Sequence, residues 1–298
     1  MRSAKHCYLI MAHTDKYLLQ VLVRMLDDER NDIYLHVDKK WKEFSPSFLS
    51  VVHANLYILD KRIDARWGHA NLIEVEYNLF EEAYRRGGYL YYHLLSGADL
   101  PIKPQDYIHR FFYEHQGTEF VSYWGTEDNN ADAYYKVSRY HFFMEYEKIP
   151  SRLLSILIAK ARRIISDVLY LLLGARSYPW RLYKKGANWV SITDGAIGTL
   201  LQEKSKVLRR FRWTRNGEEI FLQTILLESP FREKINVSSP DDHAAMREIR
   251  WSTGAVSPDT YTMQDKDFLL ASDMLFARKF SSEVDREIID FIQKEFAK

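Results

Sequence analysis

Four polar side chains stand just past apolar, strand-like runs: His13 after CYLIMA, Asp38 after DIYLHV, Asp60 after NLYIL, and Asp99 in YYHLLSGADLPIK. Open α/β sheets bind ligands outside the carboxyl ends of their strands, so these residues are candidates for nucleotide contact. For the acids, a helix cap or turn is the open alternative. A metal-dependent sugar transferase would want Asp-x-Asp here, because paired carboxylates hold a divalent ion against a diphosphate. SGADLP supplies only one acid. The literal pair, Asp265 and Asp267 in TMQDKDFLL, reads as acids at a helix start. His141 in SRYHFF and His243 in PDDHAA lack metal-ligand spacing and read as ordinary polar residues, and Cys7 reads as buried packing. Glu218 and Glu219 in NGEEIFLQTIL follow a glycine, where acids favour the first turn of a helix. Gly-x-Gly-x-x-Gly and Walker-type signatures are missing, which argues against dinucleotide oxidoreductases and P-loop enzymes.

The elements that must position these residues alternate. Strand-like runs are separated by helical patterns over 15–28, 69–86 and 105–115, which predicts βαβ units and a mainly parallel sheet. EFVSYW (119–124) and ANWVSIT (187–193) are further predicted strands, followed by helices from Asp194 and from near Glu218, and two more within 266–297 around FARKFSSEVD. The stretch 150–186 is different: long, apolar and basic. Lys160, Arg162, Arg163 and Asp167 interrupt it, so no unbroken membrane span of ~20 residues is available. Either it is a core helix with a charged outer stripe, or an amphipathic helix over 151–176 lies on an anionic membrane surface. In the second case Arg152, Arg176, Arg181, Lys184 and Lys185 flank it.

With 298 residues and 46% hydrophobic content, the chain can fill one large α/β domain or two small ones. The 42 basic and 41 acidic residues leave a formal charge of +1, which gives no general attraction for nucleic acid. A single cysteine excludes an intramolecular disulfide, and the first apolar run is too short for a signal-peptide core, so a cytoplasmic location is expected.

Taken in order, IYLHVDKK, RIDARWGHANLIEVEYNLF, YYHLLSGADLPIK, KGANWVSIT, GEEIFLQTIL and LFARKFSSEVD resemble the Core-2/I-branching glycosyltransferases, a group that includes β-1,6-N-acetylglucosaminyltransferases and peptide O-xylosyltransferases. The chain resembles a compact bacterial member without stem, anchor or paired cysteines. The resemblance implies a single GT-A-like catalytic domain, residues 1–125 forming the nucleotide-sugar half and 126–298 the acceptor-binding and catalytic half. It also implies an inverting transfer from a UDP-sugar with no metal or other cofactor. Glu219 matches the catalytic base, with Glu218 one register away. Donor contacts map to His13, Asp38, Trp67, Asp99 and Lys279, the lysine supplying charge a metal would otherwise bring. A companion basic residue has no clear match, which leaves Arg278 or Arg250 to fill that place. Lys136, Arg139 and Trp251 map to acceptor contacts. Expected partners are the UDP-sugar and a glycan acceptor, for which a lipid-linked one suits the basic helix; nucleic acid is not expected. A non-catalytic carbohydrate- or nucleotide-binding module and a basic-helix scaffold are the competing classes, which donor transfer or salt-sensitive nucleic-acid binding would separate.

Overall fold

The computed structural model describes residues 5–146, 151–177, 180–239, 241–255 and 257–297. Its elements are β1 (Lys5–Ala12), α1 (Lys16–Met25), β2 (Asn31–Val37), β3 (Asn55–Ile58), α2 (Asn71–Arg86), β4 (Tyr89–Ser96), β5 (Asp99–Pro101), α3 (Gln105–Glu114), α4 (Glu127–Ser138), α5 (Arg152–Leu173), β6 (Ser191–Thr193), α6 (Asp194–Phe211), α7 (Phe221–Leu227), β7 (Arg247–Ile249), α8 (Lys266–Ala271), β8 (Phe276–Arg278) and α9 (Arg286–Phe296). Among the described residues, five strands form one sheet in the order β3-β2-β1-β4-β6, with only β6 antiparallel to its neighbour. This is the mixed α/β, GT-A-like architecture with a mainly parallel central sheet.

Alternate residues of β1 feed two cores. Tyr8, Ile10 and Ala12 pack on one face with α1, α3 and α9, whereas Cys7, Leu9 and Met11 pack on the other with α2, α6 and α7. A strand covered on both faces reads as a continuous apolar run, which is why periodicity alone could not assign its faces. Burial drives the Cys7 thiol well above its usual range, so it is packing.

A second sheet, β5-β8-β7, was not legible in the sequence. Its strands have three residues each, too short for any alternation to show. It is tied to β6 by Arg247, which is fully buried. One Arg247 Nη donates to Val190 O at 3.0 Å and Ser191 Oγ at 3.1 Å, and the guanidinium stacks over Phe276. Both sheets draw strands from before and after residue 125.

EFVSYW is extended but makes only isolated bridges, at Glu119 and Phe120. ANWVSIT contributes just Ser191–Thr193 to the sheet. The two segments run side by side instead, Trp124 N–H donating to Lys185 O at 2.7 Å. At Gly186 a Cβ would lie 2.0 Å from Ser122 O, so only glycine permits that approach.

Candidate active site

The strand order reverses between β1 and β4, and their carboxyl ends open the crevice such sheets use for ligands. Gly97 closes its floor: its N–H donates to Met11 O at 2.9 Å, and a Cβ would lie 3.1 Å from that of Ala12. His13 stands at this edge, crowded by protein yet open to solvent. Burial lowers its pKa, helped by Lys40 and Arg278 against the opposing pull of Asp38, so a neutral imidazole is favoured. Asp38 is buried beneath it, accepting from Lys40 N–H at 2.7 Å and pairing with the Lys40 ammonium at 3.0 Å.

Asp99 is committed to the turn after β4. It accepts from Ser96 N–H at 2.9 Å and from Ser96 Oγ at 2.5 Å, and Arg278 Nε stands 3.7 Å away. The carboxylate at this strand end therefore faces a guanidinium. Arg278 lies over the Trp189 ring, with Nε and Nη1 buried and lacking hydrogen-bond partners. Burial lowers its pKa, and Asp99 and Asp242 oppose that shift. Arg278 thus acts electrostatically on His13, at this strand edge, and on Asp242, which lines a larger cleft. Lys279 is turned elsewhere, its ammonium donating to Ser257 Oγ at 2.8 Å. Arg250 is occupied by Asp259 at 3.3 Å and Asp265 at 2.5 Å. Asp265 also accepts from Thr262 N–H as a helix cap, while Asp267 lies in the first turn of α8.

The cleft, ≈ 750 Å³, brings together Trp67, Lys136, Glu219 and Trp251 from distant parts of the chain. Local backbone decides which acid enters it. Asn216 takes a left-handed φ of 48° and its N–H donates to Gly68 O at 3.0 Å. Gly217–Glu219 then makes a single 3-10 turn, and α7 starts only at Phe221, later than the predicted start near Glu218. A Cβ on Gly217 would meet Phe211 at 2.8 Å and Ile73 at 3.0 Å, pinning the turn against the core. Glu218 consequently points inward, 4% exposed, while the Glu219 side chain reaches the cleft.

Burial, and after it the charge of Glu219, push Glu218 up to about 8, and its Oε2 has no hydrogen-bond partner. Glu76 from α2 is also buried, accepting from Asn188 Nδ2 at 3.0 Å. Burial and the neighbouring Glu218 hold it well above the carboxylate range. Glu218 and Glu76, both held toward the protonated form, therefore lie behind Glu219 without adding like charge beside it.

Around Glu219, two lysines form a cluster with Asp132. Lys136 Nζ is 2.8 Å from Asp132 and 3.7 Å from Glu219, and Lys185 Nζ is 2.9 Å and 3.5 Å from the same pair. Lys185 was legible only as a helix-flanking charge; its true signal is the adjacent Gly186. Trp124 and Asp242 were missed as well. Trp124 Nε1 donates to Asp242 at 2.9 Å, and the Trp124 ring meets that of Trp251 edge-on at 6.5 Å, making an aromatic wall. Arg139 lies apart from the cleft. It is sandwiched between Tyr135 and Tyr170, with Nε 3.4 Å from Asp167, and so joins α4 to α5.

The expectation of a core helix with a charged outer stripe is overturned for α5. Among its described residues the buried ones are Arg162 and Ser166, while Leu153, Leu157, Ile164, Val168 and Leu171 recur along an exposed face, Leu153 at 71% and Leu171 at 81%. The helix is apolar outward. Arg176 donates to the Arg139 and Arg210 carbonyls, and the Arg152 side chain lies outside the described residues. Among the described residues no helix is long and apolar enough to cross a membrane.

The family model described as Core-2/I-Branching enzyme matches residues 7–270, most of the chain, and the chain belongs to that family. No curated protein matches it. Membership makes it a glycosyltransferase, with a nucleotide-sugar donor and a glycan acceptor.

Proposed function

We propose that this member of the Core-2/I-branching family is an inverting, metal-independent transferase that moves a sugar from a UDP-sugar to a glycan hydroxyl with a β-linkage. The observation that carries this reading is the presentation of Glu219 to the cleft, with Glu218 withdrawn into the core. Glu219 takes the proton of the acceptor hydroxyl as its oxygen bonds to the anomeric carbon. The bond from that carbon to the diphosphate oxygen breaks on the opposite face, and its electron pair leaves with UDP. Trp67, Trp124 and Trp251 offer ring faces to sugars. We assign charge stabilisation of the departing diphosphate, which a metal gives elsewhere, to Arg278, whose Nε and Nη1 lack hydrogen-bond partners. Lys279 would join it by exchanging Ser257 for phosphate.

We place the reaction at a membrane, in surface polysaccharide assembly. The outward apolar face of α5, with Lys160 and the exposed Arg163 along one edge, suits an anionic bilayer, burying leucines among acyl chains and pairing cations with headgroups. The deciding experiment is a transfer and hydrolysis screen across UDP-GlcNAc, UDP-xylose and UDP-galactose, with and without EDTA. Turnover of one donor in EDTA supports the assignment; turnover that EDTA abolishes and manganese restores defeats its metal-independent part. UDP binding without any turnover indicates a binding module.

A further inference from the structure

Asp242 lines the cleft yet is only 6% exposed. It and its neighbour Asp241 have different tasks. Asp241 caps the turn Asp242–Ala245, accepting from His243 N–H at 2.9 Å, so the start of the turn does not depend on the Asp242 carboxylate. Asn236 Nδ2 fastens the same turn from outside, donating to Ala244 O at 2.8 Å. The Asp242 side chain serves the tryptophans instead. It accepts from Trp124 Nε1 at 2.9 Å, and burial raises its pKa against the opposing hydrogen bonds from Trp124, Ser122 and Trp251. Two indole N–H groups therefore meet one buried carboxylate. Hydrogen bonds to such a group are strong and costly to leave unmade, so they hold both rings.

The rings come from distant parts of the chain. Trp124 ends the extended segment EFVSYW; the Lys185 carbonyl accepts its backbone N–H at 2.7 Å, and the Lys185 ammonium lies 5.1 Å from its ring centre. Trp251 stands just past β7 and is 45% exposed. The two planes cross at 86° with 6.5 Å between centres, which makes a corner. A pyranose carries C–H groups on its face and at its edge, and a right-angled pair of indoles can meet both. Lys185 also stands 3.5 Å from Glu219, so the corner adjoins the acid of the cleft.

We propose that Asp242 is a positioning residue for acceptor recognition: it locks Trp124 and Trp251 into a corner that receives one pyranose ring of the acceptor beside Glu219. The assignment rests on the transferase reading above and adds the residue that sets acceptor fit. Toward the donor the same carboxylate has the opposite influence. Its charge acts on Arg278, the cation assigned to the diphosphate. Removing that charge should leave UDP binding intact or strengthen it while acceptor binding weakens, a divergence that a loosened fold would not produce.

The test uses the full chain, with calorimetry for UDP and tryptophan quenching for methyl β-glucoside, methyl β-galactoside and methyl N-acetyl-β-glucosaminide at saturating UDP. At least one glycoside should quench the wild type. Asp242→Asn should weaken that glycoside on the order of tenfold, the scale of one hydrogen bond to a charged group, while UDP affinity holds or rises. Trp124→Phe keeps a ring but removes the N–H and should weaken the glycoside too; adding Asp242→Asn to it should cost less than Asp242→Asn alone. That cycle reports even where one variant is less stable. Parallel loss of UDP and glycoside affinity with a lower melting temperature would reduce Asp242 to a fold residue and overturn the proposal. Wild-type glycoside affinity in Asp242→Asn, or no glycoside response in the wild type, would overturn it as well. If glycoside binding follows Asp242 while no UDP-sugar is turned over, the corner stands and the transferase reading falls.

Discussion

Lys185 holds its ammonium 3.5 Å from the Glu219 carboxylate, and Gly186 N–H beside it donates to the Glu219 carbonyl at 2.9 Å. One segment thus fixes both the charge next to the acid and the backbone that carries it. Because Lys136 approaches the same carboxylate and Asp132 bridges the lysines, acid and cations form one alternating network rather than a lone base. Glu219 is positioned from two sides of the cleft.

Replacing the acid should therefore separate chemistry from binding. Glu219→Gln keeps the shape but cannot accept a proton, so turnover should fall roughly 10²–10⁴-fold. UDP affinity by calorimetry should stay near wild type, because in the proposed transfer the nucleotide leaves from the opposite face. A variant with near-normal turnover would remove Glu219 from the base role.

Glu218 makes a prediction about pH. Its folded pKa of about 8 lies above that of an ordinary carboxyl, so the native state keeps a proton that the unfolded chain has released. Stability from this group is fully present below about pH 4 and is lost as pH rises toward about 8, with a limiting slope of about 1.4 kcal/mol per pH unit. Glu218→Gln should melt close to wild type at acidic pH and above it at alkaline pH. Identical alkaline melting would show that the carboxyl is not held protonated.

Gly186→Ala tests the segment that carries Lys185. The new Cβ would meet Ser122 O, a backbone atom that cannot rotate away. Destabilisation of about 1–3 kcal/mol is expected, together with reduced turnover as Lys185 and Glu219 shift. Wild-type melting temperature and rate would mean that the two segments separate at no cost.

The parallel sheet was legible because long buried strands alternate with helical periods, and Glu219 and Lys136 were placed by resemblance rather than spacing. What the sequence hid were relations made only by the fold. Asp99 looks like a donor ligand in SGADLP, yet Ser96, three residues earlier, claims both its oxygens. Arg278 and Lys279 are adjacent on paper, but a three-residue strand ending at Arg278 sends one to Trp189 and the other to Ser257. The polarity of α5 was ambiguous because residue type cannot tell which side of an amphipathic helix meets protein; burial of Arg162 and Ser166 settles it.

That inverted helix separates stability from membrane binding. In a core helix, Leu157→Asn with Ile164→Asn would cost several kcal/mol, roughly 2–5 each. Both residues are more than half exposed here, so the melting temperature should hold while co-sedimentation with phosphatidylglycerol vesicles falls, each lost side chain removing about 1–2 kcal/mol of burial. Lys160→Gln with Arg163→Gln should weaken binding at low salt most. Unchanged co-sedimentation in both double variants would take α5 off the membrane.

Arg278 carries the last prediction, because it is the cation that the proposed mechanism assigns to the departing diphosphate, and its Nε and Nη1 lack hydrogen-bond partners. Arg278→Gln removes the charge while keeping a donor of similar reach. UDP affinity should drop on the order of tenfold or more, the scale of one charge-assisted hydrogen bond, and turnover should fall further because charge on the leaving oxygen grows in the transition state. Asp99 would lose its facing cation but keep both bonds from Ser96, so the fold should survive, and a melting curve checks this. Lys279→Gln provides the comparison: its ammonium already has Ser257, so a UDP defect larger than that of Arg278→Gln would make Lys279 the principal diphosphate contact. If manganese restores UDP binding to Arg278→Gln, a metal can occupy the place of the guanidinium; if it does not, the site takes its positive charge from the chain alone.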